Sequence, residues 1–322
     1  MENIAKKKSV ATTGRNNHKQ TFLTRLKKDF NKNKGLYLLA LPVLAYYLIF
    51  KYGPMFGVSI AFKDFTPGKG FIESNWVGLK HFKAFFTDYY FTRVIKNTLI
   101  ISLGNLLFSF PAPIMLALLV NELKNRKYSR LVQTITYLPH FISTVVLCSM
   151  IIQLTMKEGA INQMISVFGF QPVTMLNQPK LFVPIYIISN IWQNTGWNSI
   201  IYLAALTAID PELYTAAKID GANRFRQLIH ITLPGLLPTV IIMFILQIGK
   251  MFNVGHEKIL LLYNELTYET AEVISTYVYK KGLLQFNWSY SAAVGLFNSI
   301  VSFALVYTTN RISKATNDTS LW

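Results

Sequence analysis

The chain has 322 residues, of which 52% are hydrophobic and only 15% are charged, and its mean hydropathy is +0.31. Soluble domains carry about 25% charged residues, so this composition excludes an ordinary soluble domain and predicts an all-α membrane protein. A net charge of +17 is typical of nucleic-acid-binding proteins. Here the lysines and arginines flank the apolar segments, where they set topology and contact anionic lipid. We therefore expect no nucleic-acid partner, and the single Cys148 favours neither a disulfide nor a metal site.

The first 34 residues form a basic tail with ten lysines and arginines. Its last part, TFLTRLKKDFNKNK, places Phe22, Leu26 and Phe30 four residues apart with lysines between them. This pattern is typical of a helix that lies on the inner membrane surface. A solvated tail that serves only to fix the topology explains the same residues equally well, and the sequence leaves both interpretations open.

Six segments over residues 35–310 are each near the roughly 20 residues that a membrane helix requires. They cover about 35–60, 97–120, 131–154, 181–209, 233–250 and 292–310. The first segment is too long for a cleaved signal peptide and lacks a small-residue cleavage site, so we expect it to remain as a membrane anchor.

The distribution of basic residues predicts the orientation of these segments. The stretches 1–34, 122–130, 209–232 and 311–322 carry 19 lysines and arginines in 79 positions, whereas the alternate stretches carry 13 in 114. Cytoplasmic loops have the higher density. Both the tail 1–34 and the C-terminal tail 311–322 are therefore expected in the cytoplasm of a bacterial cell.

The fourth segment is the most polar, and polar side chains within a membrane usually face protein or a watery path. Positions 190, 193, 194 and 197 share one helical face and combine amides with an aromatic ring. Amides pair with sugar hydroxyls, and aromatic rings contact the apolar faces of sugars. The candidate path residues, including the end of the fifth segment, are Asn190, Gln193, Asn194, Trp197, Gln247, Lys250 and Asn253. Interhelical hydrogen bonding is an equally good explanation of these amides, and we interpret Asn105 and His140 as packing or capping groups.

A polar stretch over residues 210–234, hereafter the elbow, separates the fourth and fifth segments. Asp210-Pro211 is a helix-start signal, and the helix is expected to continue through Ile219. Gly221 can adopt the left-handed conformation that often ends a helix. Asn223 can cap a second short helix over 224–230, after which Leu233-Pro234 should start the fifth segment.

The elbow resembles the EAA loop of binding-protein-dependent ABC transporter permeases. That pattern reads EAA, three residues, Gly, nine residues, Ile, one residue, Leu-Pro, and the matching residues here are Ala216, Ala217, Gly221, Ile231, Leu233 and Pro234. Thr215 stands where the family has Glu, so a salt bridge from that position is not expected. Tyr137-Leu138-Pro139 and the PGLLP sequence after the loop are similar to the sugar-importer branch, in particular to oligosaccharide permeases of the LplB type.

The resemblance implies a type I ABC importer permease fold with six transmembrane helices and both termini cytoplasmic. It also implies that the elbow docks in a cleft of a cytoplasmic ATPase. The residues expected to couple the two proteins are Glu212, Tyr214, Thr215, Ala216, Ala217, Asp220, Gly221, Arg224, Leu233 and Pro234. The implied partners are a second related permease, two ATPase subunits, and an extracytoplasmic solute-binding protein, for which the Tyr- and Glu-containing loop 250–291 is a candidate surface.

No Gly-x-x-x-x-Gly-Lys-Ser/Thr phosphate loop occurs in the sequence, so ATP and Mg²⁺ are expected on the partner ATPase and no cofactor in this chain. The spans contain no clustered His, Cys or carboxylate residues, so we expect no catalytic or metal site and no enzyme. The expected substrate is an oligosaccharide or a polysaccharide fragment. A permease for a peptide or an amino acid, or a carrier that works alone, remains the alternative.

Overall fold

The structure is a computed structural model that describes residues 29–30, 32–317 and 319–322. Its elements are nearly all helical, and its internal contacts divide the chain after Gly57 into two units. The sequence suggested an earlier boundary, between residues 34 and 35. The predicted surface helix over 21–34 lies mostly outside the described residues.

The first unit contains α1 (Lys34–Tyr47), a π-helical turn (Leu48–Tyr52) and α2 (Gly53–Met55). A 3-10 turn (Phe56–Phe62) follows, and the run Lys34–Phe62 is long and apolar enough to cross a membrane. No residue in its most apolar stretch is buried within the chain. A helix that is apolar around its whole circumference requires lipid or another protein to cover it.

The second unit begins at Val58 within this 3-10 turn and continues with a small antiparallel pair, β1 (Lys63–Asp64) and β2 (Asn75–Trp76), in which Lys63 lies opposite Trp76. The short helix α3 (Gly70–Glu73) connects these strands, and α4 (Lys80–Phe86) follows them. Phe85 of α4 is buried, with its ring centroid 5.5 Å from that of Phe297 in the last helix. This aromatic side chain, which comes shortly before the second segment, thus packs on the protein itself.

The second apolar run consists of α5 (Phe91–Gly104), a π-helical turn (Asn105–Ser109) and α6 (Pro111–Asn121). The π turn ends at Ser109, two residues before Pro111, whose ring cannot follow a regular helical turn without a clash. The run covers the predicted second segment and begins six residues earlier.

The third predicted segment is not one helix, so the expectation of a continuous helix over 131–154 is wrong. The chain instead forms the amphipathic α7 (Arg126–Tyr137), a 3-10 turn (Leu138–Phe141) and α8 (Thr144–Thr155), followed by α9 (Ala160–Ser166). Pro139 lacks the N–H that a continuous helix needs. Ser143 is extended, and its hydroxyl accepts a hydrogen bond from the Val146 N–H at the start of α8.

The fourth predicted segment corresponds to α10 (Pro179–Thr207), a helix of 29 residues. It is long enough to cross a membrane but too polar to qualify by composition. Within the described part of the chain, five helices meet both criteria, namely Lys34–Phe62, Phe91–Asn121, Thr144–Ser166, Arg224–Gly249 and Trp288–Thr316.

After α11 (Pro211–Ile219), the chain forms α12 (Arg224–Gln227), a π-helical turn (Leu228–Thr232) and α13 (Leu233–Gly249) without a break. The sequence suggested instead a separate elbow helix ending at His230 and a fifth segment starting at Leu233. The helix continues because the π turn shifts the hydrogen bonds by one residue just before Pro234, so that the Leu233 N–H bonds to the Leu228 carbonyl.

The remaining elements are α14 (His256–Leu262), α15 (Tyr268–Ala271), α16 (Ile274–Tyr279), a π-helical turn (Lys280–Leu284) and α17 (Trp288–Asn317). The Asn97 amide fixes this region to α5, because it donates hydrogen bonds to the carbonyls of Glu269 at 2.8 Å and Glu272 at 3.0 Å. A buried cluster that includes Ile101, Leu147 and Ile259 unites α5, α8 and α14.

Candidate functional site

The elbow begins with a capped helix, as its sequence indicates. The Asp210 carboxylate accepts a hydrogen bond of 2.9 Å from the Glu212 N–H, and Pro211 occupies the first turn of α11. Asp210 thus satisfies a backbone N–H group that has no partner within the helix, and Pro211 has no backbone N–H group that would need one. The start of α11 is therefore fixed by its own sequence.

The end of α11 is a complete Schellman motif. The Ala222 N–H bonds to the Ala217 carbonyl at 2.8 Å, and the Gly221 N–H bonds to the Lys218 carbonyl at 3.1 Å. Gly221 has a φ of +78°, in the left-handed region that side chains with a Cβ avoid. The role predicted for this glycine as the helix terminator is confirmed.

Hydrogen bonds hold the second half of the elbow against the first. Asn223 caps α12 by accepting a 2.9 Å bond from the Arg226 N–H, and the Gln227 amide donates to the Ala222 carbonyl at 2.8 Å. The Tyr214 hydroxyl lies 3.0 Å from the Thr232 hydroxyl. The Tyr214–Thr232 contact links α11 to the π turn before α13.

Apolar side chains project from the elbow into solvent. Leu213 is 52% exposed, Phe225 67% and Ile219 82%. Thr215 and Ala216 are exposed beside them, and the Thr215 hydroxyl donates to the Pro211 carbonyl at 3.2 Å, so it already has a partner within the helix. Exposed apolar residues on a fixed backbone are typical of a protein-binding surface.

The predicted coupling residues all lie in the elbow, and they differ in how far their side chains are exposed. Ala217 and Tyr214 are half-buried, whereas the others are exposed, including Glu212, Asp220, Arg224, Leu233 and Pro234. Arg224 also lies 3.5 Å from the Glu122 carboxylate, just after the end of α6. The elbow and the turn after α6 are therefore on the same side of the molecule.

A second feature is a cavity of about 300 Å³ between the α5–α6 run, α10 and α13, hereafter the amide cavity. Amide side chains dominate its polar lining, and Asn190, Asn194 and Asn198 follow one another at four-residue intervals along α10. The facing residues Gln247, Lys250 and Asn253 lie at and beyond the end of α13. Such a lining offers both hydrogen-bond donors and acceptors to a polar solute, whether or not that solute is charged.

A chain of hydrogen bonds runs through the wall of the amide cavity. The Asn190 amide nitrogen donates to Asn105 Oδ1 at 3.1 Å, and Asn190 Oδ1 accepts a 2.8 Å bond from Lys258 Nζ. Lys258 also lies 3.4 Å from Gln193 Oε1 and is only 5% exposed. Asn105 belongs to the π turn of the second apolar run. Such π turns within helices are frequent at functional sites.

Five of the seven predicted path residues line the amide cavity, and two do not. Gln193 is turned toward Lys258, and Trp197 stacks on His140 with ring centroids 4.7 Å apart. His140 in turn lies 3.2 Å from Asn194 Oδ1. The predicted face of α10 is therefore divided between the cavity and the packing against the turn after α7.

The sequence reasoning missed Asn198, Lys258 and Asn105 as parts of this site. Asn198 continues the four-residue spacing of Asn190 and Asn194, a signal that is present in the sequence. The interpretation of Asn105 as a packing or capping group is incomplete, because its side chain lines the cavity as well as bonding to Asn190. For Lys258 the available signal was a lysine directly before the apolar residues ILLL.

Comparisons with known proteins agree on one family. A family model described as binding-protein-dependent transport system inner membrane component matches residues 109–314. Protein LplB of Bacillus subtilis (strain 168) is 44% identical over 317 residues, 98% of each chain. The polygalacturonan/rhamnogalacturonan transport system permease protein YteP of the same strain is 46% identical over 284 residues, 88% of each chain.

A solved structure is similar over nearly the whole chain. It is a crystal structure of a bacterial ABC transporter involved in the import of the acidic polysaccharide alginate, and one of its chains superposes with a TM-score of 0.85 at 43% identity. The match covers 91% of this chain and 99% of that chain. The predicted type I importer permease fold is thereby confirmed at the level of the overall fold.

Proposed function

We propose that this chain, which belongs to the family of binding-protein-dependent transport system inner membrane components, is a permease subunit of an ATP-driven importer. Its substrate is an oligosaccharide or a polysaccharide fragment. The observation that carries the proposal is the elbow, because its capped helices, left-handed glycine and exposed apolar residues form a rigid surface suited to a protein partner. A chain that moves solute without a partner has no need of such a surface.

The proposed complex contains a second related permease, two cytoplasmic ATPases that hold ATP and Mg²⁺, and an extracytoplasmic solute-binding protein. One solved relative supports the solute-binding protein as a partner, since it was crystallised with an alginate pentasaccharide-bound periplasmic protein. Closure of the ATPases would displace the elbow. Because α12 continues into α13, that movement would reach the wall of the amide cavity directly.

We further propose six membrane crossings with both termini in the cytoplasm of a bacterial cell. The Glu122–Arg224 pair supports one part of this topology, since it joins the two basic loops that should share the cytoplasmic side. With a rise of about 1.5 Å per residue, α10 is about 43 Å long, enough to cross a bilayer. Its polar residues are tolerated there because many of them face the amide cavity rather than lipid.

Replacing Gly221 with valine tests the coupling role. Left-handed backbone costs an L-residue about 1–2 kcal/mol, and a β-branched side chain is less tolerant still, so the turn should change shape. We expect the reconstituted complex to lose solute uptake while its ATPase activity no longer responds to the binding protein. Gly221→Asn is the matched control, because asparagine adopts this conformation more readily.

Two results would contradict the proposal. If Gly221→Val retains both uptake and stimulated ATPase activity, the elbow does not couple the subunits. If the purified chain alone concentrates solute in liposomes, it is a carrier that requires no ATPase. Uptake of a peptide or an amino acid, but of no sugar, by the intact complex would favour the alternative substrate.

A further inference from the structure

The wall of the amide cavity contains a buried cation that the proposed function leaves unexplained. Lys258, on α14, is 5% exposed, and its ammonium group donates a 2.8 Å hydrogen bond to Asn190 Oδ1. Its Nζ atom also lies 3.4 Å from Gln193 Oε1 and 5.5 Å from the ring centroid of Tyr186. No carboxylate pairs with Lys258 among the described residues. Burial of a charge without a counter-ion is unfavourable, and an uncharged amide could link α14 to α10 at a lower cost.

The helix that carries Lys258 holds it in place. Ile259 and Leu262 of α14 are buried in the cluster that also contains Leu147 of α8. The Lys258 carbonyl oxygen lies 3.9 Å from the sulfur of Cys148 on the same helix α8. Burial lowers the pKa of Lys258 to about 8, so most molecules still carry the proton at pH 7. The amide cavity therefore has a fixed ammonium group behind its wall.

An ammonium group determines the direction of the hydrogen bonds around it, because it has three donors and no acceptor. Asn190 must turn Oδ1 toward Lys258, which leaves its NH₂ group to donate to Asn105 Oδ1 at 3.1 Å. The Ser109 hydroxyl donates to the same oxygen, also at 3.1 Å. Both lone pairs of Asn105 Oδ1 are thus used, whereas the Asn105 NH₂ group has no acceptor in the part of the chain that the structure describes. Because Asn105 lines the amide cavity, this NH₂ group is available to a solute.

We propose that Lys258 is a positioning residue of the amide cavity and that Asn105 is the residue through which it acts on the solute. This inference rests on the proposed function and specifies how the cavity contacts a sugar. The ammonium group orients Asn190, Asn190 orients Asn105, and the Asn105 NH₂ group donates to a sugar oxygen. Ring and glycosidic oxygens of a sugar only accept hydrogen bonds, so a fixed donor suits them. Without the cation, both amides can turn over and present Asn105 Oδ1 to the solute instead.

The experiment uses the complex of this chain with its second permease, ATPases and binding protein, reconstituted in liposomes. Three trisaccharides that differ in charge and linkage are offered: trigalacturonate, trimannuronate and arabinotriose. The one that ATP drives into the liposomes fastest is the probe. The quantity measured is the number of probe molecules taken up per ATP hydrolysed. A solute that is poorly held in the cavity lowers this ratio, whereas damage to the whole complex lowers uptake and hydrolysis together.

Lys258→Gln is the main variant, because glutamine has a polar side chain that accepts as well as donates hydrogen bonds. We expect it to lower the uptake per ATP about fivefold, as for the loss of one hydrogen bond. Lys258→Arg, whose side chain again only donates, should retain most of the wild-type ratio. Lys157→Gln is the matched control, because Lys157 is exposed, has no ion pair among the described residues and does not line the cavity.

A double-mutant cycle tests whether Lys258 acts through Asn105. Asn105→Ala should lower the uptake per ATP by a similar factor, and Lys258→Gln should have little further effect in that background. Asn190→Asp interrupts the same chain while Lys258 stays in place, because a carboxylate accepts from Lys258 but donates nothing to Asn105. It also supplies a counter-ion, so it serves as the second variant if Lys258→Gln does not assemble, and the same loss is expected.

Several results would overturn the inference. A wild-type ratio in Lys258→Gln or in Asn190→Asp shows that the amides need no orienting cation. An equal loss in Lys258→Arg and Lys258→Gln, or losses from Lys258→Gln and Asn105→Ala that simply add, leaves Lys258 as a structural link between α14 and α10. Failure of the proposed function looks different, because the unmodified complex would then take up none of the three trisaccharides with ATP, or would take them up equally well without it.

Discussion

Substitution of Gly196 by alanine tests how closely α10 approaches the end of α7. A Cβ atom at this position would lie 2.0 Å from the Thr136 carbonyl oxygen and 2.8 Å from the Tyr137 nitrogen. Both are backbone atoms, so no side-chain rotation relieves the overlap and one helix must move. Overpacking of this kind costs about 1–3 kcal/mol, and we expect the upper end. The better helix propensity of alanine returns about 1 kcal/mol, which leaves a net loss of about 2 kcal/mol.

The assay is the apparent unfolding temperature of the chain in detergent, followed by tryptophan fluorescence. A loss of about 2 kcal/mol corresponds to a shift of about 4–8 °C at about 2–4 °C per kcal/mol. Gly295→Ala is the matched control, since its Cβ would meet nothing within 4 Å, and it should be neutral or slightly stabilising. Gly235→Ala should fall between the two, because the atoms nearest to its Cβ belong to the flexible Ile209 side chain. If Gly196→Ala melts together with Gly295→Ala, the proposed close contact does not exist.

Two further substitutions test side-chain hydrogen bonds, one at Asp88 just before α5 and one at Asn223 in the elbow. Partial burial alone would raise the pKa of Asp88, but hydrogen bonds from the Tyr90 N–H and the hydroxyls of Tyr277 and Tyr290 outweigh it and lower the pKa below 3.8. Asp88→Asn should therefore cost about 1–3 kcal/mol at neutral pH, a difference that disappears as the pH falls through the lowered pKa; an equal difference at all pH values would contradict this. Asn223→Ala should cost about 1 kcal/mol in unfolding experiments, while Asn223→Ser should cost little.

The sequence alone determined the local structure of the elbow. Its cap at Asp210, its left-handed turn at Gly221 and its second cap at Asn223 depend on interactions between residues at most five positions apart. Such interactions are encoded in the residue types themselves, so the spacing that revealed the family also predicted the geometry. The apolar segments were recognisable for a similar reason, because length and composition suffice to identify a helix that suits a bilayer.

Tertiary structure decided the features that depend on distant partners. Whether a helix continues through a proline depends on what satisfies the freed backbone groups, so the chain breaks near Pro139 but passes Pro234 by a π turn. One face of α10 is divided because neighbouring helices cover different parts of it. Lys258 became part of the cavity wall only because α14 packs beside α10, 65 residues or more away in sequence from the amides that it contacts. Residue patterns record local preferences, whereas the identity of the groups that meet across the fold is set by packing.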